Sequence, residues 1–391
     1  MPVTVRELTD AELPDAWQLG RLAFGSDPQP PPAATTNRAG MTRYGAFDDT
    51  GRLLGKAVDL HHDQWWAGRP VAAADVAGVA VAPEARGRGV ARALLRTLLH
   101  EAHDRGAAVS ALFPTVSAPY RACGWEIAGT LRTVALPTAT LPRHRPATHL
   151  TVRAGSPADL TAVTDLYDQV ARHRCGMLTR RGPLHHTDDL PYDGLTLVEE
   201  HGRLVGYAGW NRGRGYDHRS VLTVDDILAT TADAARELVG VLASWHSVAP
   251  TLRLTLLPGD ALAAALPLEN TREHDHDTWM HRPVDVTRAV RDRGWPPHVR
   301  GTVTFTLDDP LADWNTGTWQ LDIADGAADL RRTDTDADLH LSVRGFALLY
   351  TGATTASAAA QAGLLHHRPD VAPHALDLLA AGGAAHLHDY F

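Results

Sequence analysis

Cysteine is nearly absent: Cys123 and Cys175 are the two in 391 residues, and neither belongs to a Cys-x-x-Cys pair. Zinc ribbons and disulfide scaffolds are excluded, and a reducing, cytoplasmic setting is expected. No apolar run reaches the roughly 18 residues that a membrane-spanning helix needs. The opening Met1-Pro2-Val3-Thr4-Val5-Arg6-Glu7 lacks the basic and apolar regions of a signal peptide. Positive charge is also short: 37 Lys and Arg against 46 Asp and Glu leave a net charge of −9. Nucleic-acid binding wants a basic face and is not expected, whereas a cationic substrate suits this balance. The Gly-x-Ser-x-Gly elbow of a Ser-His-Asp hydrolase is missing as well.

What is present is a globular composition with 44% hydrophobic residues, in a chain too long for one core, so about two or three domains are expected. The most informative stretch runs from Asp75 to Leu95. Val76 to Val81 are small or β-branched and read as a central strand. Pro83 ends it. Gly87 and Gly89 permit a tight turn and close backbone approach to a ligand. Val90, Leu94, Leu95, Leu98, Leu99 and Ala102 then recur at helical spacing, with Arg105 in the last turn and Gly106 as C-terminal cap.

A glycine turn entering a helix offers free N–H groups and the positive end of the helix dipole, a phosphate-binding combination. Arg86, Arg88 and Arg92 add charge. No Lys-Ser/Thr pair follows, so this is not a P-loop, and Arg92 stands where the dinucleotide fingerprint needs its third glycine. The string Arg86-Gly87-Arg88-Gly89-Val90-Ala91 instead resembles the pyrophosphate loop of the GNAT acetyltransferases, which holds coenzyme A. The other reading is an ordinary strand-to-helix turn with solvated arginines.

Upstream, Val3 to about Asp27 reads as strand then helix, with Asp10 as cap. Asp27-Pro28-Gln29-Pro30-Pro31-Pro32 is a loop, and Asp27 is either a cation ligand or a solvated acid. Arg43–Phe47 and Leu53–Leu60 read as a hairpin. Trp65 and Trp66 either line an acceptor pocket or are partly buried turn residues. Downstream, Val109–Phe113 is a second buried strand, broken by Pro114-Thr115-Val116-Ser117. Ser117 can cap the short helix Ala118–Cys123, with proline in its first turn. Tyr120 on that helix is either a proton donor to a leaving thiolate or a packed aromatic.

The strings Gly78-Val79-Ala80-Val81-Ala82-Pro83…Arg86-Gly87-Arg88-Gly89 and Tyr120-Arg121-Ala122-Cys123-Gly124-Trp125 together resemble the Enhanced intracellular survival (Eis) family, bacterial acetyltransferases of broad amine specificity. The resemblance covers the whole chain. It implies an α+β protein with a catalytic GNAT domain over 1–145, a degenerate GNAT-like domain without the cofactor loop over 146–283, and a sterol carrier protein-like α/β domain over 284–391. It implies acetyl-CoA as co-substrate, no metal, a small-molecule amine (aminoglycoside- or polyamine-like) as acceptor, direct transfer in a ternary complex, and a homo-hexamer. Val79, Ala80 and Val81 would hold the pantetheine arm and polarise the acetyl carbonyl. Gly87, Arg88, Gly89, Val90, Ala91 and Arg92 would hold the pyrophosphate, with Pro114 and Thr115 also on the cofactor. Tyr120 would be the general acid. The α-carboxylate of Phe391 would reach into the active site, on an extended, alternating tail from His386.

Two alternatives stay open: an acyltransferase of one biosynthetic pathway with a narrow acceptor, and a hydrophobic-ligand carrier acting through the C-terminal domain. The central region repeats the order of the first, but Val224-Asp225-Asp226-Ile227-Leu228 stands where a glycine loop would be, and an acidic pair repels pyrophosphate. The histidine groups Glu273-His274-Asp275-His276-Asp277, His61-His62, His185-His186 and His366-His367 read as solvated segments rather than metal sites.

Overall fold

The computed structural model describes every residue except Met1, Pro2, Pro32, Ala33, His186 and Asp188, and Leu268 by its backbone alone. The expectations on the N-terminal dipeptide, the end of the proline loop and one histidine of the 185–186 pair therefore lie outside the described residues. The chain forms two compact units: Met1–Gly129, Arg172–Leu184 and Thr278–Phe391 make the first, Thr130–Ala171 and His185–Asp277 the second.

The first unit opens with β1 (Thr4–Glu7) and α1 (Leu13–Phe24). Thr9 rather than Asp10 starts the helical segment, through a capping box with Glu12. The expected hairpin is β2 (Met41–Phe47) and β3 (Leu53–Leu60), turned by Asp48, whose carboxylate accepts the N–H groups of Thr50 and Arg52. A second hairpin, β4 (Asp63–Trp66) and β5 (Arg69–Ala72), precedes β6 (Asp75–Val81). Then come α2 (Val90–Arg105), β7 (Val109–Leu112) and α3 (Ala118–Arg121). The sheet order is β1-β2-β3-β6-β7, antiparallel except for the β6–β7 pair. Helix α2 buries the six predicted apolar residues against Tyr44, Ala46, Leu54 and Val76, each large one contributing about 1.5–3 kcal/mol. Gly106 ends α2 at φ 97°, as expected.

Strand β8 (Glu126–Pro137) carries the chain into the second unit. There follow β9 (Leu150–Ala154) and α4 (Leu160–Ala171). β10 (Cys175–Leu178) returns to the first unit and pairs with β4. The second unit resumes with β11 (Gly194–Glu200), β12 (Arg203–Arg212), β13 (Val221–Ala229), α5 (Ala232–Ala243), β14 (Thr251–Thr255) and α6 (Ala261–Ala265). Its strand order is β8-β14-β13-β12-β11-β9, with β13 and β14 parallel. Leu222, Val224, Leu238 and Leu242 form its core.

Strand β15 (Arg272–Pro283) ends in the first unit, where Met280–Pro283 pair with β7. Its first half, Glu273–Asp277, is extended strand rather than the expected polar connection, and is largely exposed. The C-terminal part holds α7 (Val286–Asp292), β16 (Gly301–Asp308), β17 (Gly317–Ala324), β18 (Ala327–Arg332), β19 (Leu339–Ser342), α8 (Val343–Tyr350), α9 (Ala356–Gln361) and β20 (Leu365–His367). The sheet order is β18-β17-β16-β19-β20. Phe305, Leu321, Phe346 and Leu376 fill the space between sheet and helices. Residues Pro373–Ala380 are helical as expected, in the tighter 3-10 form. The tail from His386 is not the alternating strand that was expected. His388 is as buried as Leu387, and the tail forms no ladder among the described residues. It is held instead by Ala385 N–H to Thr351 O at 2.7 Å and His386 N–H to Cys175 O at 2.8 Å.

Candidate functional site

Strands β6 and β7 run parallel and meet in register at Val76 and Leu112. Beyond that pair they part. The cause lies on β6. Against β3, Lys56 pairs with Ala80 while Val58 pairs with Ala77, so β6 carries one extra residue, and Gly78 takes φ 56° there. A bulge of this kind bends its strand and leaves backbone groups unpaired. A cavity of about 320 Å³ occupies the opening. Val79, Ala80 and Val81 line one wall, Thr115 and Tyr120 the other, and Arg86 and Ala91 also border it.

The turn that follows β6 has the geometry the glycines allow. Gly87 and Gly89 take φ 73° and 78°, and a Cβ at either would meet no protein atom within 4 Å. The glycines answer to left-handed backbone, and the space beside them is open to a ligand. Gly89 is the N-cap of α2 and no side chain caps the helix. Among the described residues, no acceptor stands in hydrogen-bonding geometry to the N–H groups of Gly87 to Arg92. This row of free donors at a helix N-terminus fits the pyrophosphate of coenzyme A. The side chain of Val90 is core, so that residue offers only its backbone. The Arg92 guanidinium donates to Ala122 O at 3.0 Å, which ties α2 to the end of α3.

Helix α3 carries Tyr120 to the cavity. Ser117 holds the N-cap position but is itself helical, at φ −79° and ψ −27°, and makes no side-chain cap, contrary to expectation. The helix is anchored from its other end. Cys123 O accepts from Arg282, a fully buried guanidinium that also meets Asp309 at 2.5 Å and lies 5.0 Å over the Trp125 ring. The Tyr120 hydroxyl has no hydrogen-bond partner among the described residues. Burial, and next the nearby Cys123, push its pKa up to about 12, so it is protonated at neutral pH and can donate.

Candidate bases near these motifs are few. Glu84 is exposed, 3.4 Å from Arg52. Glu126 is buried, which by itself raises its pKa, but the Ile127 N–H and the guanidinium groups of Arg344 and Arg121 hold it below the ordinary carboxylate range. It is committed to those partners. Glu101 is exposed on α2. Phe391, by contrast, is seated. Its ring stands edge-on to His62 at 5.5 Å and to Phe113 at 5.4 Å. Phe113 follows Leu112, the residue at which the opening begins. Asp389 meets Arg180 at 2.7 Å. Gly176 lets the tail approach β10, since a Cβ there would lie 2.9 Å from His386 O. Phe391 does not line the cavity that Tyr120 lines; Pro114 links Phe113 to Thr115 between them.

Other expected residues lie elsewhere. Asp27 is exposed and accepts the Gln29 N–H at 3.2 Å, the bearing of a loop acid. Trp66 is wholly buried against Tyr350, ring centroids 4.6 Å apart, and lines no pocket mouth. His62 corrects the solvated reading of the histidine pairs: it is buried and faces Asp75 at 3.0 Å. Sequence reading also missed Lys56, a β3 lysine folded between α1 and the bulge. Burial, and next Arg43, lower its pKa. A Cβ on Gly20 would sit 2.7 Å from its Nζ, and the signal for that in the sequence is a glycine inside an amphipathic helix.

Comparison with known proteins agrees with this geometry. Two family descriptions, each "Acetyltransferase (GNAT) domain", match residues 4–128 and 176–291, and "Sterol carrier protein domain" matches 286–388. An uncharacterized N-acetyltransferase of Streptomyces coelicolor is 27% identical over 322 residues, 76% of this chain and 75% of that one. The crystal structure of a GCN5-related N-acetyltransferase from Kribbella flavida is 27% identical and superposes with a TM-score of 0.85 over 100% of this chain and 98% of that one. Eis1 from Mycobacterium abscessus, 22% identical, gives a TM-score of 0.78 over the full length of both chains, 100% of each. In fold and domain order this chain is Eis-like, with GNAT domains at its N-terminus and centre and a sterol carrier protein domain at its C-terminus.

Proposed function

We propose that the chain transfers an acetyl group from acetyl-CoA to an amine of a small molecule, in a ternary complex of both substrates. One arrangement carries the reading: uncapped N–H donors at the Gly87–Arg92 turn border the same opening as an unpartnered, protonated Tyr120 hydroxyl. Coenzyme A would place its pyrophosphate at that turn and its pantetheine arm along Val79, Ala80 and Val81, with Pro114 and Thr115 across from it. An N–H of the bulged strand would stabilise the oxyanion formed on attack. The amine lone pair attacks the thioester carbon, the C–S bond breaks, and Tyr120 donates its proton to the departing sulfur. The terminal carboxylate of Phe391 accepts hydrogen bonds from the amine. A homo-hexamer, cytoplasmic and independent of metal, belongs to the same proposal and is checked by light scattering and by activity in chelator.

The test is thiol release from acetyl-CoA with a panel of polyamines and aminoglycosides, with mass spectrometry of the product. Acetylated amine and free thiol in equal amounts are expected. An enzyme that releases no thiol with any amine while binding acetyl-CoA would refute the reading.

A further inference from the structure

Asp75 is wholly buried at the first position of β6, one residue before the register pair at which β6 and β7 part. Its carboxylate accepts the Ala111 N–H at 2.9 Å and the Gln64 amide at 3.1 Å, and its other oxygen faces His62 Nδ1 at 3.0 Å. Gln64 is itself fixed by the Trp66 indole N–H at 3.3 Å. A carboxylate that accepts at this point requires His62 to donate from Nδ1, which leaves Nε2 as the basic nitrogen. A base oriented by a buried acid is the arrangement that general-base catalysis uses. The ring so oriented touches Phe391, whose carboxylate holds the amine in the reaction proposed above.

That carboxylate is by nature a weak base, since a free α-carboxyl ordinarily titrates at about 3.3–3.7. It can hold an amine but is poorly matched to taking its proton at neutral pH. An imidazole is well matched. We propose that His62, held by Asp75, is the catalytic base of the acetyl transfer, taking the acceptor's proton while the terminal carboxylate beside it holds the amine. This rests on the transfer reaction proposed above. When the amine nitrogen bonds to the thioester carbon, its excess proton passes to His62 Nε2. The C–S bond breaks, and the sulfur takes the Tyr120 proton. The products are an amide and free thiol. The imidazolium then loses its proton to solvent, and the tyrosine phenolate regains one.

The groups around His62 include Asp75 on β6, Asp59 on β3 with its partner Arg105 of α2 at 3.0 Å, His61 beside it, and the Phe391 ring. Burial pushes Asp59 up to about 6, into the range of an imidazole, while burial, then Arg105 and His62, push His61 down to about 4. The experiment compares the parent with His62→Gln, Asp75→Asn and Asp59→Asn. His62→Gln keeps a donor toward Asp75. The acceptor is a weakly basic arylamine that is uncharged throughout the range, and kcat/KM is followed from about pH 5 to 8. In the parent and in Asp59→Asn, activity rises with pH on one acid limb. In His62→Gln the limb disappears and kcat falls by about 10²–10⁴-fold, with acetyl-CoA affinity unchanged by calorimetry. Asp75→Asn lowers kcat less. Turnover of His62→Gln within threefold of the parent, or loss of acetyl-CoA binding together with activity, overturns the proposal. A limb that vanishes in Asp59→Asn overturns it as well. Should the variants not fold, the parent decides: a flat kcat/KM across the range overturns the proposal. A parent that acetylates no amine at all refutes instead the reaction on which the proposal stands.

Discussion

The chain contains two strand-turn-helix elements of the same design, β6 into α2 and β13 into α5, and they treat the helix N-terminus in opposite ways. At α2 the N-cap is Gly89, with no side-chain cap and a row of free N–H groups. At α5 the N-cap is Thr231, whose hydroxyl accepts the Ala234 N–H at 3.1 Å. Thr230 just before it donates both its N–H and its hydroxyl to Val205 O. A side chain thus caps the first turn of the second helix. The acidic pair expected to repel pyrophosphate is not at that turn: Asp226 is buried in β13, where it accepts the hydroxyls of Tyr192 and Tyr207 at 2.7 and 2.8 Å. What distinguishes the two copies is the left-handed glycine turn before α2, with no side-chain cap, against an extended threonine cap before α5. An anion site exists where the chain leaves donors unmet, and closes where a threonine meets them.

The largest effect should come from filling the open turn. Gly89→Val puts a β-branched side chain at φ 78° and beside the ligand space, so acetyl-CoA binding should vanish in calorimetry while near-UV circular dichroism stays native. The parent should bind one acetyl-CoA per chain, and a stoichiometry of two would break the comparison. Next comes the chain end. One residue added after Phe391 moves the carboxylate without disturbing the core; turnover should collapse with acetyl-CoA still bound, and parent-like turnover would remove the carboxylate from the mechanism.

Tyr120→Phe should lower kcat by about 10²–10⁴-fold at constant cofactor affinity. The sign of its pH dependence follows from a pKa pushed up to about 12. An acid must be protonated to work, so Tyr120 imposes no loss of activity below about pH 11; a fall between pH 8 and 10 that is abolished in Tyr120→Phe would contradict this. The smallest effect is Thr231→Ala. Losing that cap should cost about 1 kcal/mol in urea unfolding, with acetyl-CoA stoichiometry still one, because α5 lacks the left-handed glycine turn. A second bound acetyl-CoA would show that the cap alone closes the central copy.

Local order was legible from residue pattern. Val76–Val81, the glycine turn, the six apolar positions of α2 and the Gly106 cap declared strand, turn and helix because each depends on neighbours within a few residues. The strings from Gly78 to Gly89 and from Tyr120 to Trp125 were also enough to indicate the Eis-like GNAT fold. Caps were less legible. Thr9 displaced Asp10, and Ser117 did not cap, since several polar residues near a helix start compete and packing selects among them.

What the sequence could not decide was which distant residues meet. His61-His62 looked like two solvated histidines; only the pairing of β3 with β6 sets His62 against Asp75, 13 positions on. Trp66 looked available for a pocket and became core. Phe391 stands beside His62 and Phe113 only because Gly176, Cys175 and Arg180 seat the tail. The extra residue that bulges β6 is invisible in the sequence of β6 alone, because a bulge is a property of two paired strands. Periodicity and turn chemistry are local energies, and the sequence carries them directly. Register, burial and the meeting of a chain end with a histidine more than 300 residues away arise from the packing of the whole chain, and tertiary structure alone decided them.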